Sequence, residues 1–261
     1  MNKQKLLELT FPTLALVLAL FAWELTVRLA GVPPYILPAP SLIIETLIKD
    51  WSTLCGSLLV TLHITFEALL AAVLGGVALA MLFAQSRIIE RAFFPFAVIM
   101  QVTPVVSIAP LLLVYLQQPT AVLVCAWIVA FFPVLANATL GLKSVDRNLS
   151  DLFALYGASH LETLWNLELP SALPYMLGGL RIAGGLSLVG AVAAEIAAGS
   201  AGAGSGLAFR IIESEYRLNI PRMFAALLLL SATGLVIFYL LALINHLALR
   251  RWHESALAQE R

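Results

Sequence analysis

The stretch D-L-F-A-L-Y-G-A-S-H-L-E-T-L-W-N-L-E-L-P, Asp151 to Pro170, decides how the rest of the chain is read, because it is polar yet carries helical periodicity and punctuation of its own. Leu152, Leu155 and Tyr156 fall on one face of a helix, and Leu161, Leu164 and Trp165 on one face of another. Between the two sets, Gly157 suits the left-handed conformation that ends a helix. Ser159 and Glu162 have the spacing of a capping box that starts the next. Pro170 and Pro174 are expected to stop it. The reading is a helix, a Gly bend, a second short helix and a Pro-marked return, all within a polar loop spanning residues 143–174. Its apolar side chains are too many for a bare solvated loop, so a partner should cover them.

Outward from this loop the chain is apolar on both sides. Of its 261 residues 61% are hydrophobic and 11% charged, which places it among integral membrane proteins. A span needs roughly 20 mainly apolar residues, and about six stretches qualify, near residues 10–31, 57–85, 93–116, 120–142, 175–200 and 221–249. The first resembles a signal peptide after Lys3 and Lys5, but its apolar run is too long and no small-residue cleavage site follows, so it is expected to stay as an anchor. Cytoplasmic loops retain Lys and Arg. With the N-terminus inside, Lys3, Lys5, Arg87, Arg91, Lys143, Arg147, Arg250, Arg251 and Arg261 fall inside and only Arg28, Lys49, Arg210, Arg217 and Arg222 outside. Both termini and the Asp151–Pro170 element are therefore expected in the cytoplasm. No basic patch with interleaved aromatics supports nucleic-acid binding.

Soluble-enzyme chemistry has little purchase. Cys55 and Cys125, near outer helix ends, read as buried free thiols rather than a disulfide. His63 and Glu67 share a helix face at i and i+4, but a metal site needs more ligands than that span offers. The G-A-G-S-G run at residues 202–206 lacks the Lys and Ser or Thr of a phosphate loop, and Ala203 and Leu207 stand where an esterase elbow needs glycine. It reads as a flexible turn. No cofactor is expected on this chain, and work against a gradient would draw on an ion gradient or another subunit.

Ionisable residues inside spans are functional candidates. Glu67 and Glu195 lead, with Glu24 weaker because it can reach the outer interface. Glu195 either lines the pathway or gate or makes a structural hydrogen bond across helices. Arg181, about 21 Å from Glu195 along one helix, either snorkels to the cytoplasmic surface or serves a gate or dimer contact. Gln101, Thr103 and Ser107, set among Pro104 and Pro110, either line a pathway where a broken helix frees carbonyls or pack a kinked helix. Gly75, Gly76, Gly178, Gly179, Gly184, Gly185 and Gly190 permit close helix approach.

These residues resemble a family. The loop is similar to the E-A-A-x3-G-x9-I-x-L-P motif of bacterial ABC-importer permeases, with Asp151, Gly157, Leu167, Leu169 and Pro170 in register. L-P-A-P-S at Leu37 to Ser41, T-L-x4-E from Thr61 to Glu67, Q-x-x-P-x3-I-A-P-L from Gln101 to Leu111, G-L-R ending at Arg181, A-A-E ending at Glu195 and G-S-G-L at Gly204 to Leu207 extend the likeness. They point toward the nitrate, sulfonate, taurine, bicarbonate and pyrimidine-precursor branch of the binding-protein-dependent permeases.

The resemblance implies an all-α type I importer permease in a bacterial inner membrane, working as one transmembrane domain over residues 1–261. It implies two permease subunits, a homodimer in the simplest case, two ATPase subunits that hold ATP and magnesium, and a periplasmic solute-binding protein. Asp151, Leu152, Leu155, Gly157, Ser159, Glu162, Leu167, Leu169 and Pro170 would couple to the ATPase, with Pro170 fixing the exit to the fifth span. The acidic-Ala-Ala opening departs to Asp151, Leu152 and Phe153, which implies a partner groove of matching shape, and Val114 to Pro119 replace a Gly-containing turn. Two rivals are an ion-driven secondary transporter, loosely fitted by Glu67 and Glu195 but without an internal repeat, and a membrane hydrolase resting on Ser200 and His246. The two carboxylates tilt the solute toward a neutral or heterocyclic compound, away from an anion.

Overall fold

The structure, a computed structural model, describes residues 3–199 and 204–250, with side chains from Thr10 onward. Ser200, Gly202, Ala203, Arg251 and Arg261 lie outside the described residues, as do the side chains of Lys3 and Lys5.

The described residues form helices α1 (Lys3–Leu29), α2 (Pro40–Lys49), α3 (Trp51–Gln85), α4 (Arg87–Val102), α5 (Val105–Tyr115) and α6 (Gln118–Leu142). After them come α7 (Arg147–Leu155), α8 (His160–Thr163), a π-helical turn (Leu164–Glu168), α9 (Leu169–Ala198), α10 (Leu207–Tyr216) and α11 (Ile220–Leu249). Five of the described helical runs, Thr10–Leu29, Trp51–Gln85, Gln118–Leu142, His160–Ala198 and Ile220–Leu249, are long and apolar enough to cross a bilayer. The α4–α5 pair makes a sixth if it is taken as one broken span.

Several boundaries depart from expectation. The third span is not straight: α4 and α5 meet at 101°. Pro104 has no N–H to continue the ladder and pushes Thr103 into extended backbone (φ −76°, ψ 124°). The Thr103 hydroxyl donates to the Ile99 carbonyl at 2.6 Å, as does the Thr103 N–H at 3.1 Å. The second span begins at Trp51, directly after Asp50, earlier than the apolar run alone indicated. Pro170 and Pro174 do not stop a helix. The helix from His160 runs on to Ala198, Pro170 sits at the start of α9, and the π-turn before it lets Leu169 N–H donate five residues back to Leu164. Widening the helix there makes room for a residue that neither donates nor fits a tight preceding turn. Pro170 therefore fixes no exit bend; it lies within a continuous helix.

At the centre, α6 packs against α3 and α9. Ala126, Ala130, Leu135 and Ala138 of α6 are fully buried, with Ala68, Ala72, Phe83, Ala183 and Ala191 around them. Small residues let the axes approach. A methyl group on Gly190 would stand 2.9 Å from the Ala126 backbone, and one on Gly179 3.0 Å from the Pro133 carbonyl. Gly178 and Gly185 instead face open space. α1 and α11 are peripheral, with most of their apolar side chains exposed. Cys55 is half-buried and Cys125 buried, and both are free thiols.

Polar contacts gather at opposite ends of α3. At its Gln85 end Glu90 pairs with Lys143, placing the start of α4 beside the end of α6. At its Trp51 end Asp50 accepts from Arg222 at 2.6 Å, and Arg210 Nε donates to Ser57 Oγ at 2.9 Å. The loop at residues 143–174 thus lies at the end opposite α2 and α10.

Candidate functional site

The loop after α6 is built by local chemistry. Asp146 caps α7 by accepting from the Asn148 N–H at 2.8 Å. Gly157 ends that unit with φ +73°, and the following Ala158 N–H reaches back to the Phe153 carbonyl at 3.0 Å. Ser159 and Glu162 form a reciprocal capping box: the Ser159 hydroxyl accepts from Glu162 N–H at 3.3 Å, and the Glu162 carboxylate accepts from Ser159 N–H at 2.8 Å.

Burial then divides the apolar residues into two groups. Leu164 and Leu167 are buried and fasten the loop to the membrane helices, and Leu169 and Pro170 are half-buried. Leu155 and Tyr156 are each 83% exposed, Trp165 65%, Leu161 61% and Leu152 45%. Asp151, Ser159 and Glu162 are exposed beside them. A capped scaffold that leaves large apolar side chains uncovered by the rest of the chain is a form a docking surface takes.

At the other end a buried carboxylate organises the chain. α9 ends at Gly199 (φ +58°), and the residues from Gly204 fold back so that Glu195 lies under the first turn of α10. Glu195 is 4% exposed. Its Oε1 accepts from the Thr61 hydroxyl at 2.8 Å and its Oε2 from the Ala208 N–H at 3.0 Å. Thr61 Oγ1 in turn accepts from the Leu207 N–H at 2.8 Å. Two of the unpaired N–H groups that begin α10 are thereby satisfied, and an acid stands at a helix N-terminus where the dipole favours it. Gly206 is required here: a Cβ would lie 2.0 to 2.2 Å from the carboxylate atoms. Thr61, on α3, ties the third element into the clamp.

Around it, Arg210 donates to Glu213 at 2.8 Å and Arg217 pairs with Glu213 at 2.9 Å. The bond from Arg222 holds the Asp50 carboxyl below the ordinary aspartate range, and that from Arg210 does the same for Glu213. A carboxyl whose folded pKa is depressed stabilises the fold above its unfolded pKa, and the contribution is lost as pH falls through the folded value. Asp50→Asn is therefore expected to lower the melting temperature at neutral pH and to close the gap with wild type as the solution is acidified. Thermal unfolding in detergent across that range checks it; an equal gap at every pH would contradict it.

The residues expected to line a pathway are dispersed. Gln101 and Thr103 share a cavity of about 220 Å³ with Met100, Val129, Pro133 and Leu186. Pro104 and Ser107 lie on the exposed side of the bend, outside that lining. Glu195 borders a second cavity of about 390 Å³ with His63, Gln118 and Gly204. Glu67 lies exposed on α3, 3.5 Å from His63 Nε2. Arg181 stacks over the Phe238 ring at 4.2 Å, joining α9 to α11. Glu24 accepts from the Ser41 N–H at 3.0 Å and its hydroxyl at 2.8 Å, so L-P-A-P-S is pinned to the end of α1. Sequence reading missed Thr61 as the partner of Glu195; its place in the T-L-x4-E motif was the only signal.

With this geometry in hand, comparison with known proteins is specific. The family described as the inner membrane component of binding-protein-dependent transport systems matches residues 72–250. The chain is 32% identical over 232 residues to the formylaminopyrimidine transport permease protein ThiX of Halalkalibacterium halodurans, covering 87% of this chain and 90% of that one. It is 32% identical over 249 residues to the riboflavin transport system permease protein RibX of Chloroflexus aurantiacus, covering 92% and 89%. To the taurine transport system permease protein TauC of Escherichia coli it is 30% identical over 204 residues, covering 75% and 74%. Among solved structures, a chain of an amino acid ABC transporter with histidines shares the fold, with a TM-score of 0.64 over 77% of this chain and 96% of that one at 20% identity.

Proposed function

The chain belongs to the binding-protein-dependent transport system inner membrane component family, the permeases of ABC importers, and on that premise we propose that two copies form a path for a small neutral heterocycle. It is a multi-pass membrane permease of the type I importer fold. As one domain over residues 1–261, with both termini on the cytoplasmic side of the inner membrane, it takes solute from a periplasmic binding protein. Two ATPase subunits, which hold ATP and magnesium, dock on the 143–174 loop. ATP-driven closure of the ATPase pair then rocks the spans between inward-open and outward-open states. The chain itself binds no cofactor.

The observation that carries this reading is the loop surface: Leu155, Tyr156, Leu161 and Trp165 are exposed on a capped scaffold anchored by Leu164 and Leu167. Coupling needs an element that transmits a change of state, and a short rigid segment between partner and span can do so. The Gly157 turn, with open space where a Cβ would be, allows close approach. Orientation is supported by the Lys and Arg bias and by the placement of Glu90, Lys143 and the loop at one end. Glu195 is taken up by the clamp and no longer bears on the solute; the choice of a heterocycle over nitrate or a sulfonate is supported by Glu67 alone, an exposed carboxylate that would repel an anion. Relatives named for formylaminopyrimidine and riboflavin accord with it.

The test is uptake by the assembled complex in proteoliposomes, with formylaminopyrimidine, taurine and nitrate as probes. ATP-dependent uptake of formylaminopyrimidine, indifferent to a proton ionophore, is expected. Uptake that follows an imposed ion gradient without ATP would overturn the reading, and a preference for taurine or nitrate would overturn the solute class.

A further inference from the structure

We propose that His63 and Glu67 are the polar filter of the solute path, reading a nitrogen donor and a nitrogen acceptor placed side by side on a neutral ring. The inference rests on the transport function proposed above and adds the residues and the chemical edge they recognise. Glu67 stands about 24 Å along α3 from Trp51 and about 27 Å from Gln85, so it lies at the middle of a 35-residue helix and well inside the apolar run at residues 57–85. The side chains of His63 and Glu67 are 72% and 48% exposed in the single chain. An ionisable pair at that depth is not stable against hydrocarbon and marks a water-filled or polar path.

The chemistry of the surroundings narrows what such a path admits. His63 borders the cavity of about 390 Å³, whose other walls include Leu59, Ile64, Val122 and Gln118, a mainly apolar lining with few polar groups, and Glu67 stands one turn further along α3, outside that lining. Glu195, also in that lining, already receives the Thr61 hydroxyl and the Ala208 N–H. Glu67 is held only by a loose 3.5 Å contact with His63, which leaves carboxylate oxygens and an imidazole nitrogen open to solute. A carboxylate accepts from an amine N–H, and an imidazole N–H donates to a ring nitrogen. The two together match the N–C–N edge of an aminopyrimidine or other cyclic amidine. A nitrate, or a sulfonate without an amine, would bring its charge against Glu67 with no donor to offer it, which is discrimination by repulsion.

The test uses the full chain in its assembled complex, with Cys55→Ser and Cys125→Ser as background. Single Glu67→Cys and His63→Cys variants are treated with a membrane-impermeant cationic methanethiosulfonate, and Leu14→Cys on the exposed face of α1 is the lipid-facing control. Both path positions are expected to react while the control does not. Each variant keeps the other half of the pair, so formylaminopyrimidine at saturating concentration should still slow that reaction, and nitrate should leave it unchanged. Glu67→Gln in the unmodified chain is expected to cut formylaminopyrimidine uptake about tenfold, as for one lost charged hydrogen bond, with ATPase co-purification unchanged. Unreactive cysteines would place the pair against lipid or a second copy and overturn the proposal, as would protection by nitrate. Wild type that fails to transport with ATP would instead sink the transport reading, while the labelling still reports water access on its own.

Discussion

Replacing Glu195 with alanine is expected to lower the stability of the chain by about 3 kcal/mol, from two buried donors left without an acceptor at roughly 1–3 kcal/mol each. The donors are the Thr61 hydroxyl and the Ala208 N–H, and both residues are fully buried. Glu195→Gln keeps one acceptor oxygen for Ala208, and its amide can donate to Thr61 Oγ1, so a much smaller loss is expected. The ranking of wild type, Gln and Ala in detergent melting curves reads the effect. Hydrogen exchange should localise it, with the amides of Leu207 and Ala208 losing protection first while the α6 core holds. Equal melting of the alanine variant and wild type would show that the carboxylate contributes nothing to the clamp.

Gly157→Asp is expected to remove coupling while leaving the chain folded. The φ of +73° strains most side chains, but Asp is among the residues that visit this region, so the penalty is on the order of 1 kcal/mol. Nothing lies within 4 Å of where its Cβ would stand. The new carboxylate would sit beside Tyr156 on the surface proposed to dock the ATPase, where losing a closely packed contact worth about 2 kcal/mol translates to a roughly 30-fold loss. ATP-driven uptake should fall by about that factor or more at equal membrane abundance, with the melting temperature lowered by only a few degrees. Uptake at the wild-type rate would place the docking surface elsewhere.

How much of this was legible in the sequence follows from which signals are local. Span-length apolar runs, the Gly157 bend and the Ser159–Glu162 box depend on neighbours within a few residues, and each is found where its pattern lies. Pro104 marked a break, but the 101° between α4 and α5, which pack on α6 and, for α5, on α9, has no signature among neighbouring residues. Pro170 and Pro174 misled because a proline stops a regular α-helix, whereas a π-turn just before it absorbs the misfit. α2 and α10 are ten-residue amphipathic helices, too short to stand out as span-length apolar runs. The partner of Glu195 was out of reach for another reason: Thr61 is 134 residues away in sequence, and no spacing rule links α3 to the end of α9. The division of the loop into buried Leu164 and Leu167 and exposed Leu161 and Trp165 also needed the fold, since helical spacing alone set Leu161, Leu164 and Trp165 on one face.

The most direct test of the account is a photo-reactive amino acid in place of Trp165, activated in native membranes, with the cross-linked product identified by mass spectrometry. The account predicts one dominant adduct with an ATPase subunit, diminished by Gly157→Asp. Adducts only with lipid, or with a protein on the opposite face of the membrane, would contradict both the sidedness of the loop and its role in coupling.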